Sequence, residues 1–304
     1  MEPVRKPAIS GTLFVLAAII SWGAYFPLAK IVLLKIAPAT FLIIRLGVGA
    51  ATLYLLNLRL RKSLGFDRRD WLFIAMAGVV GIILHQLIQL NGLKTTSATN
   101  TGWILTLIPP VTGILGWVWL KERVSFHKVA GLTVAMIGLS LLVSHGHLSE
   151  LSIGRNQGDL LALCSVGTWS VYTVMLKSRL GRYEPLAIAA AHMIFGFAFF
   201  GAIGAGDFIP EASSMTAREW AIAIFIGIVP SGLAYYWWAA GLQRLSAIDT
   251  SMFLFIEAIV ASVTGWIVLD ELFTPAMLGA TVIIVLGVWI AQNRRLDRKR
   301  WAIE

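Results

Sequence analysis

A carboxylate stands midway along the run SMFLFIEAIVASVTGW, where Glu257 is surrounded in sequence by apolar residues. Held in a membrane, a charge at such a depth costs roughly 2.5 to 3.5 kcal/mol on insertion scales, so Glu257 must be protonated, paired or hydrated. The chemistry expected of it is a substrate ammonium contact or a proton site; the alternative is a buried structural hydrogen bond. Two polar stripes recur at i, i+4 and i+7. Ile82, Gln86 and Gln89, with His85 beside them, correspond to Ser231, Tyr235 and Trp238. Such side chains are costly against lipid, where nothing can hydrogen-bond them, so they should face protein or a solvated cavity. Trp22 and Tyr25 share a helix face, and Trp169 and Tyr172 repeat it. Of these, Trp22, Tyr25, His85, Gln86, Gln89, Trp169, Tyr172, Tyr235 and Trp238 are candidate substrate contacts, with plain packing between helices as the alternative for the tryptophans and satisfied interhelical hydrogen bonds as the alternative for Gln86. Aromatic walls with one anionic contact suit amino acids with apolar side chains better than sugars or phosphates. Phosphate sites recruit arginine or lysine, and Arg45 is the one arginine or lysine away from the ends of an apolar span.

The elements that must position these residues are helices in a bilayer. Of 304 residues 58% are hydrophobic and 13% charged, which is far from a water-soluble composition. Apolar runs of about 20 residues, the length needed to cross a bilayer core, recur along the chain. The sequence predicts an all-α, polytopic protein with ten spans: 11–33, 38–58, 71–92, 97–119, 127–145, 158–177, 185–205, 219–241, 247–269 and 275–293. The first run is too long for a signal-peptide core and is expected to stay as the first span. The single cysteine, Cys164, allows no intramolecular disulfide.

A net charge of +9 points to membrane topology rather than to nucleic acid. Ten spans place both termini on one side, and nineteen of the 25 basic residues fall there, including the tail RRLDRKR; five fall on the other side and Arg45 lies within the second span. Basic residues resist export, so both termini are expected in the cytoplasm.

One line of sequence is written twice. GTLFVLAAIISWGAYFPLAK from Gly11 and GDLLALCSVGTWSVYTVMLK from Gly158 agree at Gly11/Gly158, Trp22/Trp169, Tyr25/Tyr172 and Lys30/Lys177. Pro38/Pro185 and Gly49/Gly196 keep the same register, in which Arg45 falls opposite His192. From the third span the register shifts by two residues, pairing Trp71/Trp220, Gly92-Leu93/Gly241-Leu242, Ser97-Ala98/Ser246-Ala247 and Glu122/Glu271. Residues 1–150 and 151–304 are thus expected to be two five-helix units. Five is odd, so the second unit enters from the opposite side, and inverted repeats of this kind build transporters with a midplane site.

These repeated residues carry a resemblance to the drug/metabolite transporter superfamily, of the EamA type with ten helices. The motifs are the Trp22 and Trp169 openings, the Gly-Leu-x-x-x-Ser-Ala lead-ins at 92–98 and 241–247, and the Glu122 and Glu271 closures. Within the superfamily the chain is similar to the YddG-like exporters of aromatic and other amino acids. The resemblance implies two bundles around a central cavity, the fifth and tenth helices peripheral, in a bacterial inner membrane.

Pro27, Pro109, Pro110 and Pro230 lie within spans, where each removes a backbone donor and can bend or interrupt the helix, making them candidate hinges for alternating access. Opposite orientation also decides which repeated charges can meet. Lys30 and Glu271 share the outer face and Lys177 and Glu122 the inner one, so the expected gate pairs are Lys30 with Glu271 and Lys177 with Glu122.

Other function classes find less support. No GxxxxGK[ST] loop and no paired-histidine metal motif occurs; His145 and His147 read as a solvated surface pair, and no metal or cofactor is expected. A membrane-embedded enzyme lacks a catalytic constellation, and a passive channel is disfavoured by the inverted repeat. The expectation is a secondary exporter of small organic metabolites, amino acids first, with proton-coupled efflux of drugs or other metabolites as the alternative. Its partners would be the solute and membrane lipids, with no required protein partner.

Overall fold

The structure, a computed structural model, describes residues 8–63, 65–95, 104–144, 157–270 and 273–293. Among them the regular structure is helical. In chain order the helices are α1 (Ala8–Leu33), α2 (Pro38–Leu60), α3 (Trp71–Gly78), α4 (His85–Thr95), α5 (Ile108–Leu120), α6 (Phe126–Val143), α7 (Gln157–Arg179), α8 (Pro185–Ser214), α9 (Ala217–Ile226), α10 (Ala234–Leu242), α11 (Ala247–Ser251), α12 (Leu254–Leu269) and α13 (Pro275–Gln292). Nine helical stretches among the described residues are long and apolar enough to cross a bilayer. The fourth expected span is represented by α5, which has 13 residues; its expected start, 97–103, lies outside the described residues.

Local chemistry sets the helix starts. Proline opens α2, α8 and α13, where its missing N–H would have been unsatisfied in any case. Thr216 caps α9 in a reciprocal box with Glu219, and the Ser246 hydroxyl accepts from the amide of Asp249 to cap α11. Pro109 and Pro110 lie in the first turn of α5, after a turn at 106–107, so they begin a helix rather than bend one. Pro27 sits inside an unbroken α1.

Two π-helical turns join α3 to α4 (Val79–Leu84) and α9 to α10 (Gly227–Leu233). They occupy corresponding places in the two halves of the sequence. In the second, Pro230 cannot donate to the regular helical ladder, and a widened turn accommodates it. In the first, Gly81 lies against the ring of Tyr172, where any side chain would collide.

Packing runs across the sequence halves rather than within them. α1 packs on α10 and α12, α4 and α5 pack on α7, and α2 packs on α8 and the second π turn. α6 and α13 pair mainly with each other. Their approach depends on Gly131 and Gly287: a Cβ on Gly131 would lie 2.5 Å from the Gly287 carbonyl oxygen. Small residues are the usual means of close helix approach in lipid, where no hydrophobic force drives helices together. The interlocked arrangement brings α1, α4, α7, α10 and α12 together at the centre.

Candidate functional site

At that centre four aromatic rings meet. Trp22 on α1 lies 5.4 Å from Trp169 on α7, 5.3 Å from Tyr235 and 5.3 Å from Trp238, both on α10. Trp169 closes the set against Trp238 at 5.8 Å and Tyr235 at 6.2 Å. The contacts with Tyr235 and between Trp22 and Trp169 are edge to face, the arrangement that sets a ring's positive rim on its neighbour's negative face. All four side chains are buried. The structure therefore brings these expected contact residues together.

Polar groups surround the rings unevenly. The indole N–H of Trp22 donates to the carbonyl of Pro230 at 2.9 Å, tying α1 to the second π turn. The indole nitrogens of Trp169 and Trp238 are buried with no partner among the described residues, as is Oε1 of Gln86. Gln86 Nε2 donates to the Tyr235 hydroxyl at 3.3 Å. His85 Nδ1 lies 3.2 Å from the Thr168 hydroxyl, and its ring packs on Trp169 at 5.0 Å. Gln89, one turn further along α4, is half-buried and has no hydrogen bond among the described residues. Orphaned buried polar atoms cost about 1 to 3 kcal/mol each, and three of them lie on or beside these rings.

Glu257 lies on α12 and is half-buried, without an ion pair or hydrogen bond among the described residues. Gly23 on α1 packs against its backbone carbonyl, which places it one helical step from Trp22.

Tyr172 packs on Trp169 at 5.4 Å, at the edge of the cluster, whereas Tyr25 packs against Phe26 and Phe41; each tyrosine has a basic partner. The Tyr25 hydroxyl accepts from Arg45 Nη1 at 2.7 Å, and Arg45 Nε donates to Ser231 Oγ at 2.9 Å. The guanidinium also lies over the Tyr25 ring, 4.5 Å from its centroid, a cation–π contact. Tyr172 OH lies 3.2 Å from His192 Nδ1, while His192 Nε2 faces the carbonyl of Ile74 at 3.1 Å. Arg45, Ser231, Thr168 and His192 were not among the expected site residues. The signal for two of them was present in the sequence, since Arg45 and His192 are the polar residues at corresponding places of the second and seventh spans.

In this structure Lys177 and Glu122, the expected inner gate pair, do not pair with each other. Lys177 Nζ donates to the carbonyls of Leu242 and Leu245 at 2.7 and 2.5 Å, at the end of α10. Glu122 accepts from the amides of Ala247 at 2.8 Å and Ile248 at 3.5 Å, at the start of α11. Each charge finds unsatisfied backbone groups of the favourable end of a helix, and this wins over a direct ion pair. Lys128 adds an ion pair to Asp249 at 2.7 Å, and Gln243 donates to the Leu180 carbonyl at 2.6 Å. The α10–α11 junction is thereby tied to α5, α6 and α7. Of the other pair, Lys30 is exposed at the end of α1, whereas Glu271 lies outside the described residues, as do His145 and His147. Among the described residues no cluster of histidine, cysteine or carboxylate side chains could hold a metal ion.

At the same end, Asp70 joins the loop before α3 to the loop after α7. Its carboxylate accepts from Tyr183 at 2.7 Å and Arg182 at 3.0 Å, with Arg179 at 3.4 Å. The Tyr183 hydroxyl, followed by the two arginines and opposed by burial, holds Asp70 below the ordinary 3.8.

Known proteins share this design. The chain is 26% identical over 276 residues to the uncharacterized transporter YyaM of Bacillus subtilis, covering 89% of this chain and 90% of that one. It is 25% identical over 288 residues to a probable terminal-alkyne amino-acid exporter of Streptantibioticus cattleyicolor, covering 93% and 94%. A solved crystal structure superposes with a TM-score of 0.80 at 20% identity, covering 93% of this chain and 98% of the other, and so shares the fold. The EamA-like transporter family matches residues 9–144 and again residues 156–292. The protein is therefore a multi-pass membrane transporter and belongs to the EamA-like transporter family.

Proposed function

We propose that the protein is a secondary transporter that exports amino acids with aromatic or other apolar side chains across a bacterial inner membrane, with both termini cytoplasmic. The observation that carries this reading is the four-ring cluster of Trp22, Trp169, Tyr235 and Trp238, edged by buried polar atoms without partners. Rings that can part and close on an apolar side chain, beside groups that need hydrogen bonds, match a solute with one apolar and one polar end. The amino-acid exporter among the relatives supports the substrate class.

Transport by alternating access is the mechanism proposed. The two halves, read as inverted repeats, would exchange conformations about the π turns, with Pro230 in one of them, while the cluster exposes the site to each side in turn. In that scheme the tied α10–α11 junction closes the cytoplasmic mouth. The solute crosses without chemical change.

A second reading, proton-coupled efflux of other metabolites, is favoured by one feature. Glu257 is a membrane carboxylate without a partner among the described residues. The two readings separate in proteoliposomes loaded with labelled phenylalanine or leucine. Efflux or exchange of the amino acid supports export, and its absence with retained efflux of a cationic drug supports the alternative.

A further inference from the structure

α5 and α6 follow one another in sequence, joined only by residues 121–125, yet they pack on different partners. α5 lies on α7 and α11, whereas α6 lies on α13 and α12. Helices joined by so short a link ordinarily pack side by side. Here they diverge and leave a groove of about 840 Å³ between them. Its walls are apolar, with Pro110, Ile114 and Trp117 from α5, Val129 and Leu132 from α6, and Ile248 from α11. Nothing among the described residues covers it: Ile114, Trp117 and Val129 are 60%, 61% and 48% exposed.

Where α5 stops, the groove is basic. Lys121 and Arg123 line it together with Glu122. The Glu122 carboxylate is engaged by the amides of Ala247 and Ile248, while the exposed Lys121 ammonium makes no ion pair or hydrogen bond among the described residues. The repeat shows that this charge is not required by the fold. In the register that pairs Trp117 with Trp266, Lys121 falls opposite Asp270 and Arg123 opposite Leu272. Lys121 and Asp270 end their helices alike, in the left-handed region at φ 57° and 54°, and both tryptophans are exposed. The same helix end is therefore basic in one half and acidic in the other.

We propose that the α5–α6 groove binds one anionic phospholipid, with an acyl chain along Ile114, Val129 and Leu132 and the phosphate on Lys121 and Arg123. Tryptophan is the usual residue at headgroup level, and basic side chains there attract anionic headgroups. The bound lipid touches Ile248 and lies beside Glu122, two of the residues that tie the α10–α11 junction. Its occupancy thus steadies the junction whatever solute is carried.

Native mass spectrometry of the delipidated protein in neutral detergent tests this, with dioleoylphosphatidylglycerol and dioleoylphosphatidylcholine added in turn. The wild type should retain one phosphatidylglycerol about fivefold or more tightly than phosphatidylcholine, the scale of one basic residue at an anionic lipid surface. Lys121→Gln should lose that preference, Val129→Trp should lose the lipid by filling the groove, and Asp270→Asn should behave as wild type. Equal retention of the two lipids by the wild type overturns the assignment and leaves the groove to bulk lipid of any headgroup. A preference that survives in folded Lys121→Gln, or a lipid retained unchanged by folded Val129→Trp, overturns it too. Displacement of the lipid by glycerol 1-phosphate at equal concentration would make this a site for a soluble anion instead. A dimer that is lost in Val129→Trp would assign the groove to a second copy of the chain.

Discussion

The hydroxyl of Tyr25 accepts from Arg45 at 2.7 Å, and Tyr172, 147 residues later, faces His192 at 3.2 Å from the corresponding position. The same tyrosine in each half meets the polar residue of the following helix, once as a permanent cation and once as an imidazole. His192 has two partners, Tyr172 and the Ile74 carbonyl, and is fully buried. Tyr172→Phe leaves one imidazole nitrogen unsatisfied and should destabilise the protein by about 1 to 3 kcal/mol. A thermal unfolding midpoint measured in detergent checks this, and an unchanged midpoint would show that the contact contributes nothing.

Trp22 and Trp238 should respond differently to the same change. Trp22→Phe breaks the bond to Pro230 and should cost about 0.5 to 1.5 kcal/mol of stability, besides lost packing. Trp238→Phe removes a donor that has no acceptor. It loses packing but no hydrogen bond, so it should destabilise the ligand-free protein less than Trp22→Phe while weakening solute binding. Paired melting and binding measurements on the two variants decide it; equal destabilisation would contradict the hydrogen-bond assignment.

Charge reversal at the tied junction should not rescue. Lys177 serves carbonyls at the end of α10 and Glu122 serves amides at the start of α11, so exchanging the two charges places each at the wrong helix end. The double variant Lys177→Glu/Glu122→Lys should transport no better than either single variant. Restored transport would revive the direct ion pair.

The Asp70 contact should depend on pH in one direction. Its carboxylate is held below 3.8 in the folded protein, so its contribution is complete above that ordinary value and is lost as pH falls through the depressed one. Asp70→Asn should lower the unfolding midpoint at neutral pH, and the gap from wild type should close in acid below 3.8. Tyr183→Phe, which removes the largest cause, should shift that closure to higher pH. A gap that stays constant with pH would rule out the carboxylate's charge as its origin.

What could be read in the sequence followed the physics that repeats. Spans, helix starts at proline or Thr and Ser caps, and the aromatic positions are local or periodic signals, and the rings of Trp22, Trp169, Tyr235 and Trp238 come together in space. Partner choice is not periodic. The sequence showed Lys177 and Glu122 on one face but not that an unfinished helix end would outcompete each for the other. Arg45 was visible as a lone buried cation, yet its role depends on Ser231, which reaches it from α9–α10 across 186 residues. The π turns carry no unique sequence mark, since one contains Pro230 and the other contains no proline.

The central claim is that an apolar amino acid passes through the aromatic cluster past Glu257. Purified protein in liposomes preloaded with labelled phenylalanine measures this directly, with wild type, Trp169→Ala and Glu257→Gln reconstituted at matched density. The account predicts efflux by wild type, loss in Trp169→Ala, and in Glu257→Gln either loss of all phenylalanine movement, if the carboxylate binds the ammonium, or loss of pH-driven movement with exchange retained, if it carries protons. Phenylalanine efflux that is the same in all three proteins would contradict it.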